Sequence, residues 1–261
     1  MAVITVGVLV VGNGWKIKQM ERKWLIDQRI TLVDIGQNIS VSSVDLTNMT
    51  GVKVMMPANL NIQAIEGKGN WEVSAMIKLA EKNGREWLAD SVANTLNVTY
   101  DAVYQDLNWP EKGYWWWKNR SANIITIDLA KEGFTDEREA PDGDKFRVIS
   151  EIWGQKAKEY FASRIFLEEN YILRLQNAST VPGLGFKTAQ ILENAGVNVF
   201  EVVKSETGVN KSRLIVSEEL KKNPSIIWMA QVFSCETVIK PGDKADLIIG
   251  EEYRKWIWGG D

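Results

Sequence analysis

Between Tyr171 and Val203 the spacing of apolar positions changes twice, and each change marks an element. Ile172, Leu173 and Leu175 supply β-prone residues, and Asn177-Ala-Ser-Thr-Val-Pro-Gly supplies turn and cap chemistry. From Leu184 the spacing becomes helical, with Leu184, Thr188, Ile191 and Leu192 on one stripe. Gly196 stops that helix, and Val197, Val199, Val202 and Val203 resume as a strand. Further on, Ser212 to Val216 reads as a strand, Glu218 to Val232 as a helix and Ala245 to Gly250 as a short buried strand. The pattern predicts a β-α-β-β-α-β module.

Upstream the pattern is strands first, then helices. Arg29-Ile-Thr-Leu-Val-Asp-Ile, Ile39 to Val44 and Gly51 to Pro57 alternate as strands, the last ended by proline. Glu66-Gly-Lys-Gly-Asn is a turn. Trp71, Ser74, Ala75, Lys78 and Leu79 mark one helix and Trp87, Ser91, Val92 and Leu96 another, joined at Asn83-Gly84. Glu111 to Glu169 carries a buried-looking strand at Ile124 to Leu129, an acidic Pro-Asp-Gly loop and an amphipathic stretch from Phe146 to Phe166. The expectation is an α/β protein of two domains, residues 29–168 and residues 169–261, the second being the small βαββαβ unit. Residues 1–28 are a short membrane anchor or a first strand. Ala2 to Gly12 is too short to span a bilayer, and its β-branched content also suits a core strand.

The C-terminal module resembles the domain that follows the catalytic domain in LytR/CpsA/Psr cell-envelope proteins. The residues that carry the resemblance are Asn177-Ala-Ser-Thr, Pro182-Gly-Leu-Gly, Asn194-Ala-Gly-Val and Ala245-Asp-Leu-Ile-Ile-Gly-Glu-Glu-Tyr253. The first domain looks like a divergent catalytic domain of that family. Its Val54-Met-Met-Pro57-Ala58-Asn59-Leu60 stands where the family has Pro-Arg-Asp, and Ser91 to Tyr104 stands where the family has its Leu-Gly-Ile, Asp, Tyr segment.

Family members transfer a glycopolymer from a polyprenyl-pyrophosphate carrier to peptidoglycan, with arginines gripping the pyrophosphate and acidic residues holding a divalent cation. Here Ala58 and Asn59 replace the arginine and aspartate, and Asp128 to Arg147 holds no clear match to the family's arginine-rich helix. The resemblance therefore implies an envelope-associated binding or scaffolding protein on the outer face of the cytoplasmic membrane, with no catalytic residue assigned. Its partner would be cell-wall glycopolymer or an envelope protein, reached through a membrane-held N-terminus. The alternative is a phosphotransferase, needing magnesium and a convergence of Arg85, Arg138 and Arg147 beside carboxylates; a cytoplasmic interaction protein is a third reading.

Composition narrows the chemistry. There is no histidine, which removes Ser-His-Asp and Cys-His catalysis and histidine-ligated metals. A formal charge of −3 and a pI near 5.4 argue against nucleic acid as partner. The single cysteine, Cys235, forms no internal disulfide and reads as a small buried side chain. The acidic run Asp136, Glu137, Glu139, Asp142 and Asp144 lacks the ordered spacing of a calcium loop and reads as a solvated connector, so no metal site is assigned. Gly183-Leu-Gly185 either presents amides to an anion or makes a tight helix entry; Thr188 stands where a dinucleotide fingerprint has its third glycine. Three tryptophans in a row, Trp115, Trp116 and Trp117, cannot all face one core, which leaves sugar stacking, membrane contact or interdomain packing for at least one. The candidate binding residues are thus Asn177, Gly183, Gly185, Trp115, Trp116 and Trp117.

Overall fold

The computed structural model describes residues 29–140 and 142–253. The anchor or strand expected at Ala2 to Gly12, Pro141 of the acidic loop and the tail beyond Tyr253 lie outside the described residues.

The first sheet is built on a meander. β1 (Arg29–Ile35), β2 (Ile39–Asp45) and β3 (Thr50–Met55) pair antiparallel in succession. β6 (Ala102–Val103) and β7 (Asn123–Asp128) then add in parallel at the two edges, giving the order β6-β1-β2-β3-β7. Every residue of β2 is buried, because both faces of this central strand are covered. Strand alternation divides the apolar residues between the faces. Ile30, Leu32 and Val44 meet Leu107 and Trp115 on one side. Val33, Ile39, Val41, Val52 and Val54 join a larger cluster on the other, with Leu88, Val92 and Trp153.

Three helices supply that larger cluster: α1 (Val73–Asn83), α2 (Arg85–Leu96) and, later in the chain, α4 (Glu151–Phe161). Gly84 separates α1 from α2 at φ +96°, a backbone state that glycine adopts without strain. Trp153 is fully buried, and its indole N–H donates to the Leu96 carbonyl at 3.0 Å, satisfying a carbonyl at the end of α2 that has no intrahelical donor. The opposite face is closed by α3 (Trp109–Ser121), entered through a capping box in which Asn108 and Glu111 bond each other's backbone N–H, with a proline in the first turn.

Two hairpins flank this sheet. β4 (Asn61–Gln63) pairs with β5 (Asn70–Glu72), and β8 (Thr135–Glu139) pairs with β9 (Lys145–Ile149). A bridge from Leu60 to Arg147 ties the second hairpin to the chain entering β4.

The second sheet has the order β11-β10-β14-β12-β13. β10 (Ile172–Asn177) runs parallel to β11 (Val199–Lys204) and to β14 (Lys244–Ile249), while β12 (Arg213–Val216) is antiparallel to β14 and parallel to β13 (Glu236–Ile239). Helix α6 (Leu184–Ala195) connects β10 to β11 and buries Leu184, Thr188, Ile191 and Leu192, the stripe its spacing predicts. It ends at Gly196, φ +103°. The remaining helices are α5 (Arg164–Glu168) and α7 (Pro224–Val232).

The protein is therefore mixed α/β, as the alternation of patterns predicts. Several details differ. The module has an extra strand, β13, because Glu236 to Ile239 pairs in parallel with β12 at the sheet edge. The helix expected from Glu218 is split: a 3-10 turn at Leu220–Lys222 precedes α7, since Pro224 has no N–H to continue a helix and fits its first position instead. Trp71 lies in β5, not in α1. β7 is an edge strand rather than a buried one, with Ile125 half exposed. The acidic run is no loose connector: Asp136, Glu137 and Glu139 are in β8, and Asp142 and Asp144 are in its turn.

The two sheets touch through helix ends. Asn194 donates its side-chain N–H to the Asn97 carbonyl at 2.9 Å, Lys187 Nζ donates to the Asn94 carbonyl at 2.5 Å, and Ser163 N–H donates to the Ala195 carbonyl at 2.8 Å. The Asn94 carbonyl in the last turn of α2 and the carbonyl of its capping residue Asn97 are thus met by side chains of α6.

Candidate functional site

Asn177, Gly183 and Gly185 converge on one cavity of about 220 Å³, walled by Val181, Phe186 and Val202. The chain reaches it through a tight turn. Asn177 Oδ1 accepts from Ser179 N–H at 3.0 Å and from the Ser179 hydroxyl at 2.7 Å, while its Nδ2 donates to the Val181 carbonyl at 2.9 Å. These bonds engage both ends of the carboxamide in holding the turn, so Asn177 shapes the cavity rather than recognising a ligand. Thr180 N–H donates to Glu251 Oε1 at 2.5 Å, so the turn and the segment after the last strand form one locus.

Gly183 caps α6 at φ +80°, which a side chain rarely adopts. Gly185 is there for proximity: a Cβ would stand 3.1 Å from Val202 Cγ1 and 3.2 Å from Asn177 Cβ. The Gly-Leu-Gly segment is a close-packed helix entry beside an apolar pocket.

The tryptophan run does not join that cavity. It lies on α3, where Trp115 is buried against β1 and β2, while Trp116 and Trp117 are 60% and 55% exposed. A helix turns consecutive residues by about 100°, so three in a row must point to different sides. Trp115, placed in the core of the first sheet, is not a stacking residue. Lys118 Nζ lies 4.6 Å from the Trp117 ring centre, and Arg120 Cζ lies 5.3 Å from that of Trp116. Neither of these two rings packs between the sheets.

A second cleft, of about 400 Å³, opens between α2, the segment from Val98 to Leu107 and three residues of the second sheet's unit: Ile191, Val232 and Tyr253. Five carboxylates line it, and four of them, Asp90, Asp101, Asp106 and Glu111, are engaged in hydrogen bonds. Asp90 accepts from the Tyr100 hydroxyl at 2.8 Å, Asp101 from Thr31 N–H at 2.7 Å, and Asp106 from Arg85 at 2.8 Å. Burial, then the Asp90 charge, hold the Tyr100 hydroxyl well above its usual range, so it remains a hydrogen-bond donor at neutral pH. The carboxylates lining this cleft disfavour phosphate by like-charge repulsion.

The three arginines are apart. Arg85 pairs with Asp106 in a neighbouring surface cavity. Arg147 lies by the replaced family motif, its N–H donating to the Asn59 carbonyl at 3.0 Å, and its guanidinium bonds Thr135 Oγ1 at 3.1 Å and pairs with Glu137 at 3.7 Å. Glu137 is opposite Arg147 in the hairpin register and Arg138 is opposite Phe146, so strand alternation sends the Arg138 side chain to the other face. Among the described residues, no group of three or more acidic or cysteine side chains is arranged to hold a metal ion. Protein magnesium sites usually supply one or two carboxylates beside waters, and neither Ala58 nor Asn59 is one.

Lys187 escaped the sequence reading. It interrupts the inward stripe of α6, three residues after Leu184 and four before Ile191, and a charge at such a position was the available signal. Burial pulls its ammonium down to about 8.

No protein-family model matches this chain, and no curated protein matches it. Among solved structures it is similar to the soluble domain of a conserved hypothetical secreted protein from Mycobacterium marinum, at 14% identity and TM-score 0.28 over 38% of this chain and 69% of that one. It is also similar to TagU of B. subtilis, at 11% identity and TM-score 0.25 over 82% of this chain and 100% of that one. A further likeness is to the LytR-CPS2A-psr family protein YwtF (TagT) with bound octaprenyl pyrophosphate lipid, at 9% identity and TM-score 0.23 over 70% of this chain and 78% of that one. At these TM-scores none of the likenesses bears on how this chain works. Among the described residues, no helix is long and apolar enough to cross a membrane.

Proposed function

We propose that this chain is a non-catalytic binding or scaffolding protein of the LytR/CpsA/Psr type at the cell envelope, on the outer face of the cytoplasmic membrane, with cell-wall glycopolymer or an envelope protein as its partner. The division at about residue 168 belongs to the same proposal: residues 29–168 are the divergent family domain and residues 169–261 the C-terminal module. One observation carries it. The motif that supplies arginine and aspartate in the family is Ala58 and Asn59 here, and Arg85, Arg138 and Arg147 face separate places. Phosphoryl transfer needs guanidinium groups and a cation converging on one pyrophosphate, since positioned charge is nearly all of that catalysis.

Titration of the full chain with a polyprenyl pyrophosphate analogue, with and without magnesium, tests this by calorimetry. Absence of cation-dependent binding is the expected result. Micromolar, magnesium-dependent binding would sink the non-catalytic reading and restore the phosphotransferase.

A further inference from the structure

A shallow polar basin of about 420 Å³ lies where the two sheets meet, bounded by the β4–β5 hairpin, the β8–β9 hairpin, the last turn of α2 and the first turn of α6. Its lining holds two cations, Lys187 and Arg138, and no carboxylate. The Asn94 carbonyl fixes Lys187 Nζ at 2.5 Å and leaves the other ammonium protons without acceptors among the described residues. Arg138 has neither an ion pair nor a hydrogen bond among the described residues. Its neighbours Glu137 and Glu139 point to the opposite face, where Glu137 pairs with Lys145 at 3.2 Å.

Three carboxamides complete the polar wall: Asn61, Gln63 and Asn70, on the two short strands of one hairpin. None of the three hydrogen-bonds another described side chain, so their donors and acceptors are available. Phe146 and Val148 give the floor an apolar strip. By register the nearest acids are Asp136, across from Val148, and Glu72, across from Asn61; neither lines the basin.

We infer that this basin binds a saccharide carrying an oxyanion, phosphate or carboxylate, with Lys187 and Arg138 on the anion and the carboxamides on the sugar hydroxyls. Two cations held without counter-charge favour an anion, and Arg138 offers the paired donors that suit one. A bare inorganic anion would leave the carboxamides and the apolar strip unused. Burial of Lys187 adds to the drive, since an incoming anion relieves the desolvated charge. The inference rests on the basin itself and extends the binding reading above, which names no site.

The test is a titration of the isotope-labelled full chain, following the side-chain amide resonances of asparagine and glutamine. The probes are glucose 6-phosphate, glucuronate, glucose and inorganic phosphate. The two charged sugars are expected to saturate with shifts at Asn61, Gln63 and Asn70, which distinguishes a phosphate from a carboxylate source by relative affinity. Glucose is expected to show no saturation up to about 20 mM, and inorganic phosphate to bind several-fold more weakly than glucose 6-phosphate. Arg138→Ala and Lys187→Met should each weaken binding about tenfold, and Asp136→Asn should tighten it two- to threefold by removing a neighbouring negative charge.

Arg138 is exposed, so its variant folds whatever happens at Lys187. Binding unchanged in Arg138→Ala, equal binding of glucose and glucose 6-phosphate, or no binding of either charged sugar would overturn the inference. None of these results depends on the polyprenyl pyrophosphate titration, so the two readings can fail separately.

Discussion

The ammonium of Lys187 and the main-chain carbonyl of Asn94 meet at 2.5 Å across the junction of the two sheets, with no carboxylate beside them among the described residues. The carbonyl belongs to the last turn of a helix, where the helix dipole favours a cation, yet burial still pulls the lysine down to about 8. The consequence for stability has a definite sign. The unfolded chain keeps this proton up to about pH 10.5, while the folded chain releases it from about pH 8. Between those values the unfolded state binds more protons, so stability rises with pH; below pH 8 the penalty is present in full. Urea unfolding of the wild type and of Lys187→Met at pH 7 and pH 9.5 isolates this contribution. The wild type is expected to gain stability relative to the variant at the higher pH, and a difference independent of pH would refute the assignment.

Gly196 and Gly113 make a matched pair. Gly196 closes α6 at φ +103°, and a Cβ there would stand 2.9 Å from the Ser163 carbonyl oxygen, a main-chain atom that cannot rotate away. Gly196→Ala should cost about 2–4 kcal/mol through the left-handed backbone and the clash together. Gly113 lies inside α3, and an alanine methyl there would meet nothing within 4 Å, so Gly113→Ala should stabilise by about 0.5–1 kcal/mol. Thermal or denaturant unfolding of the two variants should move in opposite directions.

The tryptophans of α3 divide by exposure. Trp115→Ala removes a buried side chain from the cluster against β1 and β2 and should cost about 3–5 kcal/mol. Trp116→Ala loses only a solvent-screened contact to Arg120 and should lie within about 0.5 kcal/mol of the parent, while Trp117→Ala also loses an edge-to-face contact with Tyr114 at 6.2 Å and should cost about 0.5–1.5 kcal/mol. A large destabilisation by either of the exposed pair would mean that the ring is covered in solution.

Much of this architecture was legible because the residues that write it act locally. Gly196 ends α6, Asn83-Gly84 separates α1 from α2, and the alternation through Val33, Val41 and Val54 sorts the first sheet, each from its own few neighbours. The binding residues were legible only in part. Asn177, Gly183 and Gly185 are adjacent in sequence and were bound to share a cavity, but whether the Asn177 carboxamide faced a ligand or its own turn depended on where Ser179 and Val181 closed around it. The polar basin was not legible at all. It draws Lys187, Arg138 and Asn61 from three elements far apart in the chain, and strand register alone decides that Arg138 points one way and Arg147 the other. β13 was missed for a related reason: four residues at a sheet edge, mostly exposed, carry little apolar period, and pairing with β12 makes the strand.

Cys235 offers a last test, of the second sheet's integrity. The thiol packs partly buried against the apolar cluster that includes Phe233 and Tyr253, and that burial pushes it up to about 12 from an ordinary value near 9. Since the thiolate is the reactive species, the native protein at pH 8 should react with Ellman's reagent about a thousandfold more slowly than the chain in concentrated guanidinium. The sign for stability follows: the unfolded chain loses this proton from about pH 9 and the folded chain only near pH 12, so the thiol contributes stability that falls as pH rises across that window. Reaction should therefore report opening of α7 and β13, the elements on either side of the cysteine. If Cys235 titrates with reagent in the native state as fast as a free thiol, the packing of Phe233 over this edge is not maintained in solution.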